Sequence, residues 1–354
     1  EFHLPCRFGE HAVRLPRRIT PALAAVPFRL RRAVRASRAL LRSEQVRVVV
    51  AFGGYVALPV ALAARGRVPL VLHEQNATPG LANRLASRSA TAVAVTHASS
   101  ARRMARPERC RCTGNPVQEH LRDLDRSARR PGARERLGLD PERPVLLAFG
   151  GSQGARSIAR ALAGAAGRLA ADGVQVLHVA GSRGLEDALE AWRWHGVEPV
   201  GPDAEPATAE AASDPGADPA ARPAPDGPPV VRLLGYLDDM SDAYAAADVV
   251  LCRAGATSLA EVGVLGLPAI LVPYPHAAAD HQRANARAAE SAGAAIVIDE
   301  EELDADAVAD AVRSVLGESG RADRMALTAR TLARADAAEG VAAVVLDTLD
   351  GAAS

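Results

Sequence analysis

Seven short apolar runs rich in β-branched residues, at residues 46–52, 68–72, 145–149, 174–180, 230–234, 249–252 and 269–272, alternate along the chain with Ala-rich helical stretches. That rhythm is βαβ, in which successive strands lie parallel and a helix covers the sheet at each crossover. The runs show no apolar/polar alternation, so each strand is expected to be covered on both faces. The chain's 354 residues exceed the usual size of one domain, and two doubly wound α/β domains follow. Residues 126–144 interrupt the apolar pattern with charge, Gly and Pro just before a strong new strand, which sets the expected domains at 1–142 and 143–354. Within the second, residues 201–229 hold almost no large apolar side chain, many prolines and several carboxylates. Such a segment cannot offset the entropy of its own ordering. A disordered acidic surface insertion is expected there, with a functional tether or acidic partner site as the competing reading.

All 42 basic residues are Arg and 42 acids balance them, so the formal charge of zero lends no support to nucleic-acid binding. Cys6, Cys110, Cys112 and Cys252 are scattered apart from one Cys-x-Cys. That spacing lacks the second ligand pair of a structural zinc site, and reduced thiols in a cytosolic protein are expected. No run has the form of a signal peptide and no stretch of about 18 apolar residues is present, which leaves only peripheral membrane contact. The first residue is Glu1 rather than Met, as expected of a processed or trimmed chain or a gene fragment. Residues 11–43 carry nine arginines and no acid. Arg31, Arg35, Arg38 and Arg42 fall on one face of an expected helix, and Leu30, Val34 and Leu41 on another. Such a helix suits an anionic membrane surface, with Pro27 and Phe28 adding apolar area at its entrance. A domain helix with a solvated Arg face accounts for the same pattern.

The sharpest local motif is PVLLAFGGSQGAR at residues 144–156, a buried strand running into a glycine cluster and then a helix. Unpaired N–H groups at the helix start, and a dipole equivalent to roughly half a positive charge, make an anion site there. Gly150 and Gly151 permit close backbone approach, and Ser152 offers a hydroxyl to a phosphate oxygen. The loop has neither the Lys of a Walker motif nor the spacing of the dinucleotide fingerprint, and a nucleotide-diphosphate site is favoured over an ordinary turn. A second junction, CRAGATSLAE at residues 252–261, sets hydroxyls at helix-capping positions. Glu261, about a turn further on, can accept both hydroxyls of a ribose, an exposed helix Glu being the plain alternative. Residues 273–286 bring Asp280, His281, Gln282 and Asn285 to a strand's carboxyl end, the edge at which open α/β sheets bind ligands. In the first half, Phe52-Gly53-Gly54-Tyr55 and the group His73, Glu74, Gln75 and Asn76 with Gly80 and Asn83 also follow strands. Four polar residues buried without partners would be strongly unfavourable, so a polar cleft is the economical reading.

These segments, FGGYVALPVALAA, LHEQNATPGLANR, TGNPV, FGGSQGA, YLDDMSDAYAAADVVLCRAGATSLAE and DHQRANA, resemble in order and spacing the signatures of the MurG family. Its members move N-acetylglucosamine (GlcNAc) from UDP-GlcNAc to lipid I, an undecaprenyl-linked muramyl-peptide, giving lipid II in peptidoglycan synthesis. The resemblance covers about residues 14–348 apart from the acidic insertion, and its motifs are specific taken together. It implies a GT-B fold, two Rossmann-like doubly wound domains facing across a cleft, the C-terminal one holding UDP-GlcNAc and the N-terminal one meeting lipid I. Carried over by motif position, Gly151, Ser152, Gln153 and Gly154 contact the diphosphate, Glu261 the ribose and the backbone at Leu237 the uracil. Ala256, Thr257 and Ser258 line the same pocket, and Gln282 reaches the transferred sugar. Asn76 matches a donor-contacting position, Glu74 has an acceptor-side role, and Asn83 joins the candidate set. The resemblance also implies docking of a basic and apolar flank on the anionic inner-membrane surface, at the cytoplasmic face of a bacterial cell. No tightly bound cofactor and no nucleic-acid partner are expected, and no motif decides whether a divalent cation takes part.

Two departures matter. The family opens with a strand and the loop GGTGGH, whose His is a candidate general base. Nothing in this chain matches it, and neither His3 nor His11 lies in such a context. The first domain is therefore expected to lack its opening strand and glycine loop, and no catalytic base is assigned. Gln118 follows GNPV where the family commonly places an Arg that helps bind the donor, and a neutral group makes a weaker diphosphate contact than a charged one. The implied chemistry is a single-step inverting transfer. Two other activities stay in view: a catalytically impaired UDP-sugar-binding fragment of that enzyme, and a UDP-GlcNAc epimerase on the same two-domain fold, against which the HEQN and GGSQGA motifs speak.

Overall fold

The computed structural model describes residues 26–151, 154–201 and 230–353. His3, His11, Ser152, Gln153 and the segment 202–229 lie outside the described residues, and with them the expectations placed on two glycine-loop side chains and on the acidic insertion.

Two compact units emerge. The first carries, among the described residues, a four-stranded sheet in the order β1 (Val49–Ala51), β2 (Leu70–Glu74), β3 (Ala92–Val95), β4 (Cys110–Cys112). Every neighbouring pair is parallel. The second carries β5 (Val145–Phe149), β6 (Gln175–Val179), β7 (Val231–Leu234), β8 (Val249–Cys252), β9 (Ala269–Leu271) and β10 (Ala295–Val297), arranged β10-β9-β8-β5-β6-β7 and parallel throughout. From the adjacent pair β5 and β8 the chain winds outward in opposite directions. A ligand crevice forms at the carboxyl end of such a switch point.

Burial explains why the central strands read as unbroken apolar runs. All five residues of β5 are buried, Leu146 and Ala148 in one apolar cluster and Val145, Leu147 and Phe149 in another. Side chains alternate between two helix-covered faces, so neither face needs polar residues.

The expected division at residues 142/143 is displaced. The second unit takes in Val117–Pro275 and Asn285–Ala333, while His276–Ala284 and the chain from Arg334 onward group with the first. The charges that resembled a linker are in fact partnered. In the helix Arg126–Arg136, Arg134 reaches Asp248 at 2.7 Å, Arg130 pairs with the same carboxylate, and Arg126 donates to the carbonyls of Tyr244 and Ala247. The helix Ala337–Ala353 packs on β2 and β3, and Arg111 of β4 pairs with its Asp347.

The Arg-rich helix forms over Val26–Ser43. Leu41 and Val34 belong to the first unit's core and Ala33 is buried, while Arg31, Arg35 and Arg42 are exposed. Its apolar side is thus engaged within the unit, packed against the helix Gly54–Ala64. This corrects the expectation of a helix with an apolar face available to lipid: the Arg face is presented, with Phe28 exposed beside it.

Candidate functional site

β5 ends at Phe149 and the helix Arg156–Gly164 follows it, with the Gly154 amide donating to the Gly151 carbonyl at 2.9 Å in the turn between them. Two glycines make that turn possible. A Cβ at Gly150 would stand 2.5 Å from the Ala155 amide nitrogen, and Gly154, at φ +73°, would carry one 2.7 Å from the Ala180 carbonyl oxygen. On the other side of the switch point β8 leads through residues 253–255 into the helix Ala256–Leu265. The first-turn N–H groups of both helices lack intrahelical partners, and both dipoles are positive at that end.

Beside these turns lies an open pocket of about 370 Å³, within the size range of small-ligand sites. Gly151 lines it from the glycine turn, Thr257, Ser258 and Glu261 from the helix Ala256–Leu265, and Tyr236 and Leu237 from the loop after β7. Gln118 and His120 close another side. Thr257 and Ser258 precede Glu261 by four and three positions, so each neighbours it on the helix surface. Glu261 Oε2 accepts a hydrogen bond from the Tyr244 hydroxyl at 2.7 Å. Burial raises the Glu261 carboxyl above its usual value, an effect that this bond and the nearby His120 oppose. Asp239 accepts from the Ser241 amide at 2.8 Å and from its hydroxyl at 2.6 Å. Those bonds tie Asp239 to the first residue of the helix Ser241–Ala246 and hold the loop carrying Leu237. His120 Nε2 stands 3.4 Å from the Asp239 carboxylate.

The structure therefore gathers Gly151, Leu237, Thr257, Ser258, Glu261 and Gln118 around one cavity. Gly154, in the first turn, and Ala256, the first residue of the second helix, stand beside it without lining it. Gln282 occupies the first turn of the helix His281–Ser291, in the segment that groups with the first unit. Further along that helix, Asn285 is buried and donates to the Ala254 carbonyl at 3.2 Å. His120, Tyr236 and Tyr244 line the pocket without having been anticipated. His120 and Tyr236 neighbour expected residues in sequence, a usable signal. Tyr244 and Glu261 lie on different helices, and no local pattern announces their contact. Arg253 was also missed: its guanidinium donates to Ser157 Oγ at 2.9 Å, pairs with Glu300 and lies 5.5 Å from the Tyr274 ring centroid.

The HEQN residues of the first unit form a different arrangement. Glu74 is 2% exposed at the end of β2. Its Oε1 accepts from the Asn76 amide (3.0 Å) and Nδ2 (3.2 Å), and its Oε2 from the Gly80 amide (3.1 Å) and Asn83 Nδ2 (2.8 Å). Asn83 Nδ2 also approaches the His73 carbonyl at 3.1 Å, and Ser100 donates to the Asn76 carbonyl at 2.7 Å. The carboxylate thereby folds residues 75–80 back on the strand and anchors the helix Leu81–Ala86. His73 is fully buried, with Nε2 2.9 Å from the Gly114 carbonyl. Burial lowers its pKa, so the neutral ring donates through Nε2. The expected open polar cleft is thus a largely self-satisfied cluster, with His73 Nδ1 and Asn83 Oδ1 the atoms in it left buried without a partner.

Among the described residues no group of His, Cys, Asp and Glu is arranged to hold a metal ion, and no helix is long and apolar enough to cross a membrane.

Two parallel-sheet α/β units, one with a pocket at the switch point of a doubly wound sheet, define a GT-B-like protein. The crystal structure of Acinetobacter baumannii MurG aligns with 91% of this chain and 79% of its own at a TM-score of 0.64 and 27% identity. Models of the glycosyltransferase family 28 N-terminal and C-terminal domains match residues 3–95 and 214–341. The UDP-N-acetylglucosamine–N-acetylmuramyl-(pentapeptide) pyrophosphoryl-undecaprenol N-acetylglucosamine transferase of Nocardioides sp. is 42% identical over 336 residues, 95% of this chain and 82% of that one. The relative of the same name from Acidothermus cellulolyticus is 44% identical over 335 residues, 94% of this chain and 81% of its own. The chain belongs to glycosyltransferase family 28, among its MurG-type transferases.

Proposed function

We propose that the chain transfers GlcNAc from UDP-GlcNAc to the muramyl-pentapeptide carried on pyrophosphoryl-undecaprenol. The observation that carries this reading is the meeting, at the β5/β8 switch point of a family 28 chain, of a glycine turn, two first-turn hydroxyls and a carboxylate in one pocket. The diphosphate takes the glycine turn and the helix N-termini, where backbone N–H groups receive its charge. Gly151 and Gly154 shape that turn, and Ser152 and Gln153 add to it by motif position. Thr257 and Ser258 line the adjoining wall, next to Ala256, with Glu261 facing the ribose and the Leu237 backbone facing the uracil. Asn76 and Gln282 are assigned to the sugar side by motif position, and Gln118 is a neutral neighbour of the diphosphate.

In the reaction the acceptor's 4-hydroxyl loses its proton to a base, its oxygen bonds to the anomeric carbon, and the bond from that carbon to the UDP oxygen breaks with inversion. Positive helix ends and N–H groups stabilise the charge that develops on UDP. Glu74, with both oxygens engaged, positions the 75–80 loop on the acceptor side, and Asn83 supports it. Peripheral docking on an anionic cytoplasmic membrane face belongs to the same proposal. The exposed Phe28, Leu81 and Leu85, accompanied by exposed Arg31, Arg35, Arg84 and Arg88, support it.

The test is incubation with labelled UDP-GlcNAc and a lipid I analogue. Label should pass to the lipid with one UDP released per sugar. Saturable UDP binding without transfer would identify an impaired fragment, and conversion of free UDP-GlcNAc without acceptor would identify an epimerase.

A further inference from the structure

A glutamate serves a ribose only if its carboxylate is held in place, because a free side chain loses rotamer entropy on binding. Tyr244 supplies that restraint. It is 1% exposed on the helix Ser241–Ala246, its ring set edge-on to Phe149 with centroids 6.0 Å apart. Its backbone carbonyl accepts from Arg126 Nε at 3.0 Å. From this fixed position the hydroxyl donates to Glu261 Oε2 at 2.7 Å. Burial and the adjacent carboxylate hold the phenol well above its ordinary pKa, so it remains a donor. Among the described residues Glu261 Oε1 takes no hydrogen bond, and Glu261 lines the pocket.

We infer that Tyr244 is a positioning residue: it holds one carboxylate oxygen of Glu261 so that the other accepts the ribose hydroxyls, making the pocket selective for a ribonucleotide over its 2′-deoxy counterpart. This rests on the reading of the pocket as a UDP site. A site built to bond a hydroxyl rejects the analogue lacking it, because its polar group is left unpaired.

Calorimetric titration of the full chain with UDP and with 2′-deoxy-UDP tests the point. The unmodified chain should prefer UDP by about tenfold or more, the scale of a hydrogen bond to a charged group. Tyr244→Phe removes one oxygen and keeps the ring; it should weaken UDP about fivefold and leave 2′-deoxy-UDP within about twofold. Glu261→Gln should erase the preference, and adding Tyr244→Phe to it should cost nothing more. Equal losses for both nucleotides, additive losses in the double variant, or an unchanged preference in Glu261→Gln would overturn the inference and leave the UDP site standing. Absence of UDP binding by the unmodified chain would overturn both.

Discussion

Glu74, at the end of β2, accepts four hydrogen bonds from its own unit, whereas Glu261, one turn into the helix after β8, accepts one. Both stand where a buried strand gives way to a polar, glycine-containing segment, Glu74 buried and Glu261 half-buried. The difference lies in who fills the lone pairs. An acceptor filled by neighbouring amides organises a loop, while one left half-filled in a pocket is available to a ligand. A polar cluster at a strand end is therefore evidence of function only after its partners are counted.

The contrast can be broken most directly at Glu74. Glu74→Ala removes the acceptor of four hydrogen bonds and should destabilise the protein by at least about 3 kcal/mol in denaturant titrations; a loss below about 1 kcal/mol would remove Glu74 from the class of fold-determining groups. His178 extends the same class. Its pKa is depressed by burial to about 4, and its ring nitrogen accepts from Trp192 Nε1 at 3.2 Å. A depressed histidine stabilises fully above its unfolded value and progressively less as pH falls toward the folded one. Stability should thus decline by about 2 kcal/mol between pH 6.5 and pH 5, with a flatter profile in His178→Gln, which keeps an acceptor for the indole. Glu261→Gln should show the opposite character, weakening UDP about tenfold while thermal stability stays within about 0.5 kcal/mol. The smallest effect is expected at Gln118→Arg. A restored cation on the pocket wall should tighten UDP about threefold and 2′-deoxy-UDP by the same factor, since charge there acts on the diphosphate and not on the ribose.

Several elements were legible before any coordinates. β5, β6 and β8 are buried on both faces, so apolar runs mark them. β3 and β4 escaped, being three or four residues long and composed of Ala, Cys, Arg and isolated Val, so that their strand character comes from the neighbouring ladder; β10 was passed over although Ile296, Val297 and Ile298 form a β-branched run. At the site, the glycine turn, Thr257, Ser258 and Glu261 were readable because helix-start chemistry is local. Arg126 and Arg134 were misread as linker charge, since the carbonyls and carboxylate they meet lie more than a hundred residues away.

Periodicity, glycine turns and capping residues act over a few positions, and they suffice for two parallel α/β sheets, an anion-binding helix start and membership of the family. Which unit receives residues 117–142 and the C-terminal helix, which carboxylate is saturated and which is held half-open, and which phenol holds it were decided by packing. Those outcomes depend on groups brought together across the fold, and hydrogen-bond satisfaction in a buried site is a property of the assembled neighbourhood, not of any stretch of chain.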